Sequence, residues 1–420
     1  MAPESLNPPT PAEPAQALIV QKYGGTSVGS PERIRAVARR ISRSYVDGTS
    51  LVVVVSAMGH TTDELIALAH QVSAEPPHRE MDMLLTAGER ISMALLSMAL
   101  ADLGIPALSL TGSQSGIITD HSHRRARIRR ILGDRIRTAL GERKVVIVAG
   151  FQGVSEKKEI TTLGRGGSDT TAVALAATLG AEVCEIYTDV DGVYSADPRV
   201  VPGALRRERI PHDLMVELAT RGAGVLHPRS VELAEQAGVR LCVKTSMEEG
   251  EMAERAVTKG TIVEKGLEEY TVAGVTADAE KMLLTVDLCR PTVLGAVMDT
   301  AAESHLAVIA PIFSSSRVEF FVERDAEKEW KKHLERLVVE GFVASFELRR
   351  ELVPLTVVGR RFAQDGKAIQ QVIEILARNN ISVTMGSASS LAITVAVPAT
   401  HADDGIRALH DELIPGKKTK

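Results

Sequence analysis

The chain has 420 residues, 44% hydrophobic and 25% charged, a composition that builds globular cores, two to four domains of them, and excludes an intrinsically disordered protein. Lys and Arg number 49 against 54 Asp and Glu, and the resulting net charge of −5 excludes a nucleic-acid binder that works by bulk charge while leaving room for a local basic pocket. Three scattered cysteines (Cys184, Cys242, Cys289), 3% aromatics and no apolar run near the ~18 residues of a membrane span exclude a disulfide framework, a cysteine zinc site and base-stacking platforms, and make a reducing, cytoplasmic setting the expectation.

Residues 1–17 open with MAPESLNPPTPAEPAQ, whose prolines favour extended, unpaired backbone; the stretch reads as a disordered tail and lacks the basic-then-apolar order of a secretory signal. From Leu18 short apolar runs (LIVQKY at 18–23, LVVVVS at 51–56, VVIVAGF at 145–151, VCEIYTDV at 183–190) alternate with helix-period segments, the longest being MDMLLTAGERISMALLSMALADLG. Nearly continuous apolar strands alternating with amphipathic helices predict an α/β fold, a mainly parallel central sheet covered on both faces. Ligands in such folds sit beyond the carboxyl ends of the strands, so the informative residues should follow the apolar runs. Near 265 the units shorten. Strand, helix, two strands and helix recur twice, which predicts two small α+β units at 266–349 and 350–420, with the strand at 269–278 an alternative partner for the second.

Five constellations carry polar chemistry. Lys22-Tyr-Gly24-Gly25-Thr26-Ser27 lies between a strand and a helix entered at Ser30-Pro31; glycine amides and a lysine suit a phosphate, although a plain strand–helix turn would look alike. It is neither a Walker loop nor a dinucleotide fingerprint. Ser56-Ala57-Met58-Gly59 with Thr61-Thr62-Asp63 follows the second apolar run. Glu89 sits in Thr86-Ala87-Gly88-Glu89-Arg90 inside an apolar helix, where a solvated or paired glutamate is the ordinary reading. Gly164-Arg165-Gly166-Gly167-Ser168-Asp169 opens a helix of small residues; capping by Ser168 or Asp169 explains one residue of it but not the glycines and arginine before. Tyr187-Thr188-Asp189-Val190-Asp191-Gly192-Val193-Tyr194 to Arg199 runs from a strand into a long polar loop that can hold a base and ribose or simply turn. His121, His123 and Arg124, Arg125, Arg127, Arg129 and Arg130 read as a solvated helix face, His227-Pro228 as a helix entry, and Met81, Met83, Met93 and Met98 as core filling.

In order, QKYGGTSVGS, VVSAMGHTTDEL, LLTAGERIS, GFQG, TTLGRGGSDTTA, YTDVDGVYSADPR and VLHPRSVELA resemble the aspartokinase family across nearly all of 18–265, and the C-terminal duplication is similar to that family's paired ACT domains. The resemblance implies an amino-acid-kinase three-layer αβα sandwich followed by two ferredoxin-like ACT units. It implies transfer of the γ-phosphoryl of ATP, carried with Mg2+, to the side-chain carboxylate of L-aspartate. It makes Lys22 and Asp169 catalytic. Ser56, Thr62, Glu89, Arg165, Gly166, Gly167 and Ser168 fall to aspartate, with Arg165 on the α-carboxylate and Glu89 on the ammonium. Lys22, Gly24, Gly25, Thr188, Asp189, Tyr194, Arg199 and Lys244 fall to the nucleotide, with no protein-held metal. A homodimer or higher homo-oligomer through the ACT units is the family expectation.

The regulatory half departs from the family pattern. CRPTVLG at 289–295 lacks the glycine after Pro291, AVIAPIFSSS carries Pro311 and Ile312 where the family has a Gln-Asn pair, and VVGRRFAQDGKAI and SASSLAI replace the second unit's effector segments. Effector amino acids need polar partners, so weakened inhibition by lysine and threonine is expected. Two other readings remain: an amino-acid kinase acting on an aspartate analogue in a specialised pathway, and a non-catalytic ACT-type sensor.

Overall fold

The computed structural model describes residues 17–247, 260–266, 271–303, 306–362 and 366–414, so the proline-rich start and residues 363–365 of VVGRRFAQDGKAI lie outside it. The described chain packs as two units, 17–189 with 236–247 and 190–235 with 260–414.

The first unit runs β1 (Leu18–Tyr23), α1 (Pro31–Val46), β2 (Ser50–Val55), α2 (Thr61–Val72), α3 (His78–Asp102), β3 (Ala107–Leu110), β4 (Ile117–Thr119), β5 (Ile128–Ile131), α4 (Asp134–Gly141), β6 (Val145–Ala149), β7 (Gln152–Ser155), β8 (Ile160–Thr162), α5 (Gly167–Leu179) and β9 (Val183–Thr188), with a further strand at Leu241–Thr245. Leu241–Thr245, β9, β1, β2, β6 and β3 lie side by side in that order, all parallel. Side chains alternate faces along a strand. Tyr23, Val53, Val55, Ile147, Ala149 and Tyr187 pack with Ile34, Val37 and Ile41 of α1 and Leu96 and Leu100 of α3. The other face, which carries Val20, Lys22, Val54, Val148 and Ile186, is covered by α5. That helix is buried from Gly167 through Ala176, which its run of alanines, threonines and glycine permits.

Four points of the sequence reading need correction. The His121–Arg130 run is not a helix face: it forms a turn and then β5, which pairs with β4, and α4 begins only at Asp134. β5, β4, β7 and β8 make a separate four-stranded sheet that short strands rich in Thr, Ser and Arg did not announce. Met81 and Met93 are buried, but Met83 and Met98 are 43% and 62% exposed, because they lie off the stripe of Leu85, Leu96 and Leu100. Lastly, α3 does reach the length and apolarity of a membrane span, yet much of it is buried in this unit and two of its buried residues are the carboxylates Asp82 and Glu89.

In the second unit the segments Lys281–Leu288, Leu294–Glu303, Ile309–Phe313, Arg317–Glu323, Glu327–Val339 and Val343–Arg349 form strand-helix-strand-strand-helix-strand, with the antiparallel sheet order second, third, first, fourth strand. Its core is built on Phe320 and Trp330, 5.3 Å apart and tilted. The repeat starting at Leu352–Gly359 ends on the helix Ala402–Leu413 without a fourth strand of its own. Val272–Ala277 takes that place, antiparallel to Leu352–Gly359.

Candidate active site

The first unit's polar constellations lie where its parallel strands end. The ladders continue past the strands as single bonds that tie one loop to the next. Ser56 N donates to Tyr23 O at 3.1 Å, Gly150 N to Val55 O at 3.0 Å, Gly24 N to Tyr187 O at 3.2 Å, and Ser246 N to Thr188 O at 2.8 Å. The loops after β1, β2, β6, β9 and Leu241–Thr245 are therefore one connected rim.

Lys22 is the penultimate residue of β1 and faces α5. Its Nζ lies 2.7 Å from Asp169 Oδ1, both side chains being 12% exposed. Asp169 stands in the first turn of α5, where the positive end of the helix favours a carboxylate. The pair thus holds the lysine at the mouth of the rim. Gly24 does not supply the amide expected of it, since its N–H is taken by Tyr187 O. Gly25 and Thr26 open a short 3-10 turn (Gly25–Val28), and the first N–H groups of a helix have no partner within it.

Ser168 follows one residue into α5 and is buried. It is pressed against the end of β6: a Cβ on Gly150 would come within 2.7 Å of Ser168 Oγ and 3.0 Å of its Cα. Only glycine allows that approach. Gly150→Ala should therefore push the start of α5, and Asp169 with it, off Lys22, and cost about 1–3 kcal/mol of stability as overpacking does. Thermal unfolding and kcat measured together check this; a variant with unaltered Tm and kcat would contradict it. Arg165 is exposed on the loop before α5, between Gly164 and Gly166, both in the left-handed region at φ 80° and 65°. Thr62 is in the first turn of α2, and Ser56 directly follows β2; both are half-buried.

Glu89 is not a solvated helix residue. It is 3% exposed on α3. Oε1 accepts from Ala57 N at 3.2 Å, and the buried Oε2 has no hydrogen-bond partner among the described residues. Burial pushes its carboxyl up to about 7, against the lowering effect of the backbone hydrogen bonds. A buried carboxylate oxygen with nothing to accept is costly unless a cationic donor comes to it.

Lys244 is the assignment the structure reverses. Its Cα partner across the ladder is Tyr187, so its side chain leaves on the α1 and α3 face, opposite Lys22. There Nζ is 2.5 Å from Glu185 Oε1 and 9% of the residue is exposed. Glu185 also accepts from Gln21 Nε2 at 2.9 Å and Tyr187 OH at 3.1 Å, and Tyr187 stacks on Tyr23 at 4.7 Å. Lys244 thus pairs with a buried glutamate beneath the rim, on the face opposite Lys22. The charged Glu185 in an apolar parallel strand was the signal that a partner was needed.

Thr188 ends β9, its hydroxyl donating to Asp189 Oδ1 at 3.0 Å. Tyr194 and Arg199 belong to the second unit. Tyr194 OH donates to Asp191 Oδ1 at 2.8 Å, and the Arg199 guanidinium, 90% exposed, grips Asp197 of its own loop at 2.7 Å.

The description "Amino acid kinase family" matches residues 17–245 and "ACT domain" matches 355–413. An aspartokinase of Bacillus sp. (strain MGA3) is 44% identical over 404 residues, covering 94% of this chain and 96% of that one. An aspartokinase of Thermus thermophilus is 42% identical over 405 residues, covering 94% and 98%. Among solved structures, E. coli aspartokinase III in complex with aspartate and ADP superimposes with a TM-score of 0.82 over 95% of this chain and 100% of that chain at 23% identity, a likeness of fold.

Proposed function

The chain belongs to the amino acid kinase family, within its aspartokinases, and from that premise we propose how the residues of its rim divide the work. It is a kinase that transfers the γ-phosphoryl of ATP to the side-chain carboxylate of L-aspartate, giving 4-phospho-L-aspartate and ADP. The new bond joins a carboxylate oxygen to the γ-phosphorus, and the bond from that phosphorus to the bridging oxygen breaks. The attacking group is already an anion, so no general base is required and the obstacle is repulsion between two negative reactants. Alignment and neutralisation are what the protein must supply.

The observation that carries the reading is the pairing of two unlike devices on one rim: the Lys22–Asp169 ion pair beside glycine-rich backbone, and the buried Glu89 with an orphaned Oε2. Lys22 takes the transferring phosphoryl, with the amides of Gly25 and Thr26. Asp169 orients Lys22. Glu89 takes the substrate ammonium and Arg165 its α-carboxylate, with Ser56, Thr62, Gly166, Gly167 and Ser168 around them. A zwitterion needs one fixed anion and one fixed cation, and N-acylated substrates would leave Glu89 without a partner. Thr188 and Asp189 fall to the nucleotide. Magnesium arriving on the phosphates would neutralise part of their charge, which is how this ion is usually carried. We read 18–265 as the catalytic domain in a cytoplasmic homodimer joined through ACT units at 266–349 and 350–420. Aspartate-dependent ADP release, with the acyl phosphate trapped as its hydroxamate, tests the activity; ADP release that ignores aspartate would overturn it.

Feedback control is weakened on this reading. In the first ACT unit, the strand Ile309–Phe313 carries Ala310 in the left-handed region at φ 51°, and its ladder slips between Ile309 and Ile312 around Pro311, where the family resemblance leads one to expect a Gln-Asn pair. Titrating the kinase with lysine and with threonine should leave it active, and half-inhibition below about 1 mM, the upper range of typical working concentrations, would contradict this.

A further inference from the structure

Asp82 has no part in the chemistry above, yet it is fully buried on α3, seven residues before Glu89 and on the same face. Three segments meet at its carboxylate. Oδ1 accepts from Thr162 Oγ1 at 2.6 Å and from Arg124 N at 3.1 Å. Oδ2 accepts from Arg124 N at 3.2 Å and lies 2.6 Å from His123 Nδ1. Thr162 ends β8, three residues before Arg165. The 123–126 segment is laid along that approach: Ala126 N donates to Thr162 O at 2.9 Å, and a Cβ on Gly164 would come within 2.9 Å of Arg124 O. The segment is shaped in advance by Asp120, whose Oδ1 accepts from Ser122 N at 3.2 Å and Arg127 N at 3.1 Å. Arg124 itself is held at φ 67°, a conformation a non-glycine residue keeps only when its surroundings enforce it. The bonds from its N–H to Asp82 do that.

We propose that Asp82 and His123 are positioning residues for the aspartate site, fixing the Arg165 loop against the same helix that carries Glu89. This rests on the reading of Arg165 and Glu89 given above. The ammonium and α-carboxylate of an amino acid sit on one carbon, so the guanidinium and the Glu89 carboxylate must stand a set distance apart. Asp82 anchors the loop bearing one of them to the rigid body bearing the other, and His123 closes the clasp from the outer side. Displacements of an ångström in such a constellation are enough to weaken it severalfold or more.

Steady-state kinetics of His123→Ala, His123→Asn and Arg165→Lys, and of the His123→Ala, Arg165→Lys double variant, test this in the full chain. His123 is partly exposed, and its loss leaves Asp82 with Thr162 and Arg124, so the fold should be retained. His123→Ala should raise the aspartate KM about tenfold and leave the ATP KM within about twofold. His123→Asn, whose amide can still donate to Asp82, should recover most of the loss. On the Arg165→Lys background, where the planar fork is already gone, His123→Ala should add less than about twofold. Equal rises for both substrates, or an undiminished effect on that background, would overturn the proposal. A wild-type chain without aspartate-dependent turnover would instead overturn the activity itself.

Discussion

Replacing Lys22 by alanine should lower kcat by about 10²–10⁴-fold with a much smaller change in the aspartate KM. The ammonium is held 2.7 Å from Asp169 in a site where both side chains are 12% exposed, so in the proposed role it would meet the phosphoryl already oriented and poorly screened. Such a group stabilises the charge of the transition state more than that of the ground state, which is why the loss falls on kcat. The same substitution leaves Asp169 as an unpaired carboxylate facing an anionic substrate, adding repulsion to lost attraction. Lys22→Arg keeps the charge but not its position and should recover only part of the rate. Activity of Lys22→Ala within about threefold of wild type would refute the role.

Glu89→Gln should raise the aspartate KM by about 30-fold or more and leave ATP binding nearly intact, because it removes one partner of a desolvated charge pair. A pH dependence goes with it. Burial holds the Glu89 carboxyl at about 7, above its ordinary 4.5, so protons compete with the substrate ammonium below neutrality. The aspartate KM of the wild type should therefore climb toward about tenfold per pH unit as pH falls below 7, and that slope should vanish in Glu89→Gln. Stability moves the other way. A carboxyl whose pKa is raised on folding leaves the free protein most stable below the unfolded value. That advantage is lost as pH rises from 4.5 to 7, about 3 kcal/mol in all. Glu89→Gln should lack this loss, melting higher than wild type above pH 7 while binding aspartate worse. Equal KM losses for aspartate and ATP, or a KM slope surviving in the variant, would contradict the assignment.

The catalytic rim was legible in the sequence where glycine-rich or polar segments directly follow continuous apolar strands. β1, β2, β6 and β9 announce themselves by Val and Ile, and the parallel ladder then sets Lys22 opposite the start of α5. What was not legible depends on pairing. Which face Lys244 takes is decided by its register against Tyr187, and a shift of one residue would reverse it. The burial of Glu89 depends on Ala57 being laid against α3 from a distant loop. β4, β5, β7 and β8 are three or four residues each, too short for their own pattern to show, and the arginines of the 121–130 run mimic a helical surface. The fourth strand of the last ACT-like sheet precedes its unit in the chain, so order alone leaves its partner open.

A crystal structure with L-aspartate and a non-hydrolysable ATP analogue tests most directly whether one pocket holds both anions. The γ-phosphate oxygens should lie within hydrogen-bond reach of Lys22 Nζ, and the aspartate ammonium should sit against Glu89 Oε2 with its side-chain carboxylate toward the phosphorus. Lys22 and Arg165 facing separate cavities, or Glu89 Oε2 left without the ammonium, would contradict it.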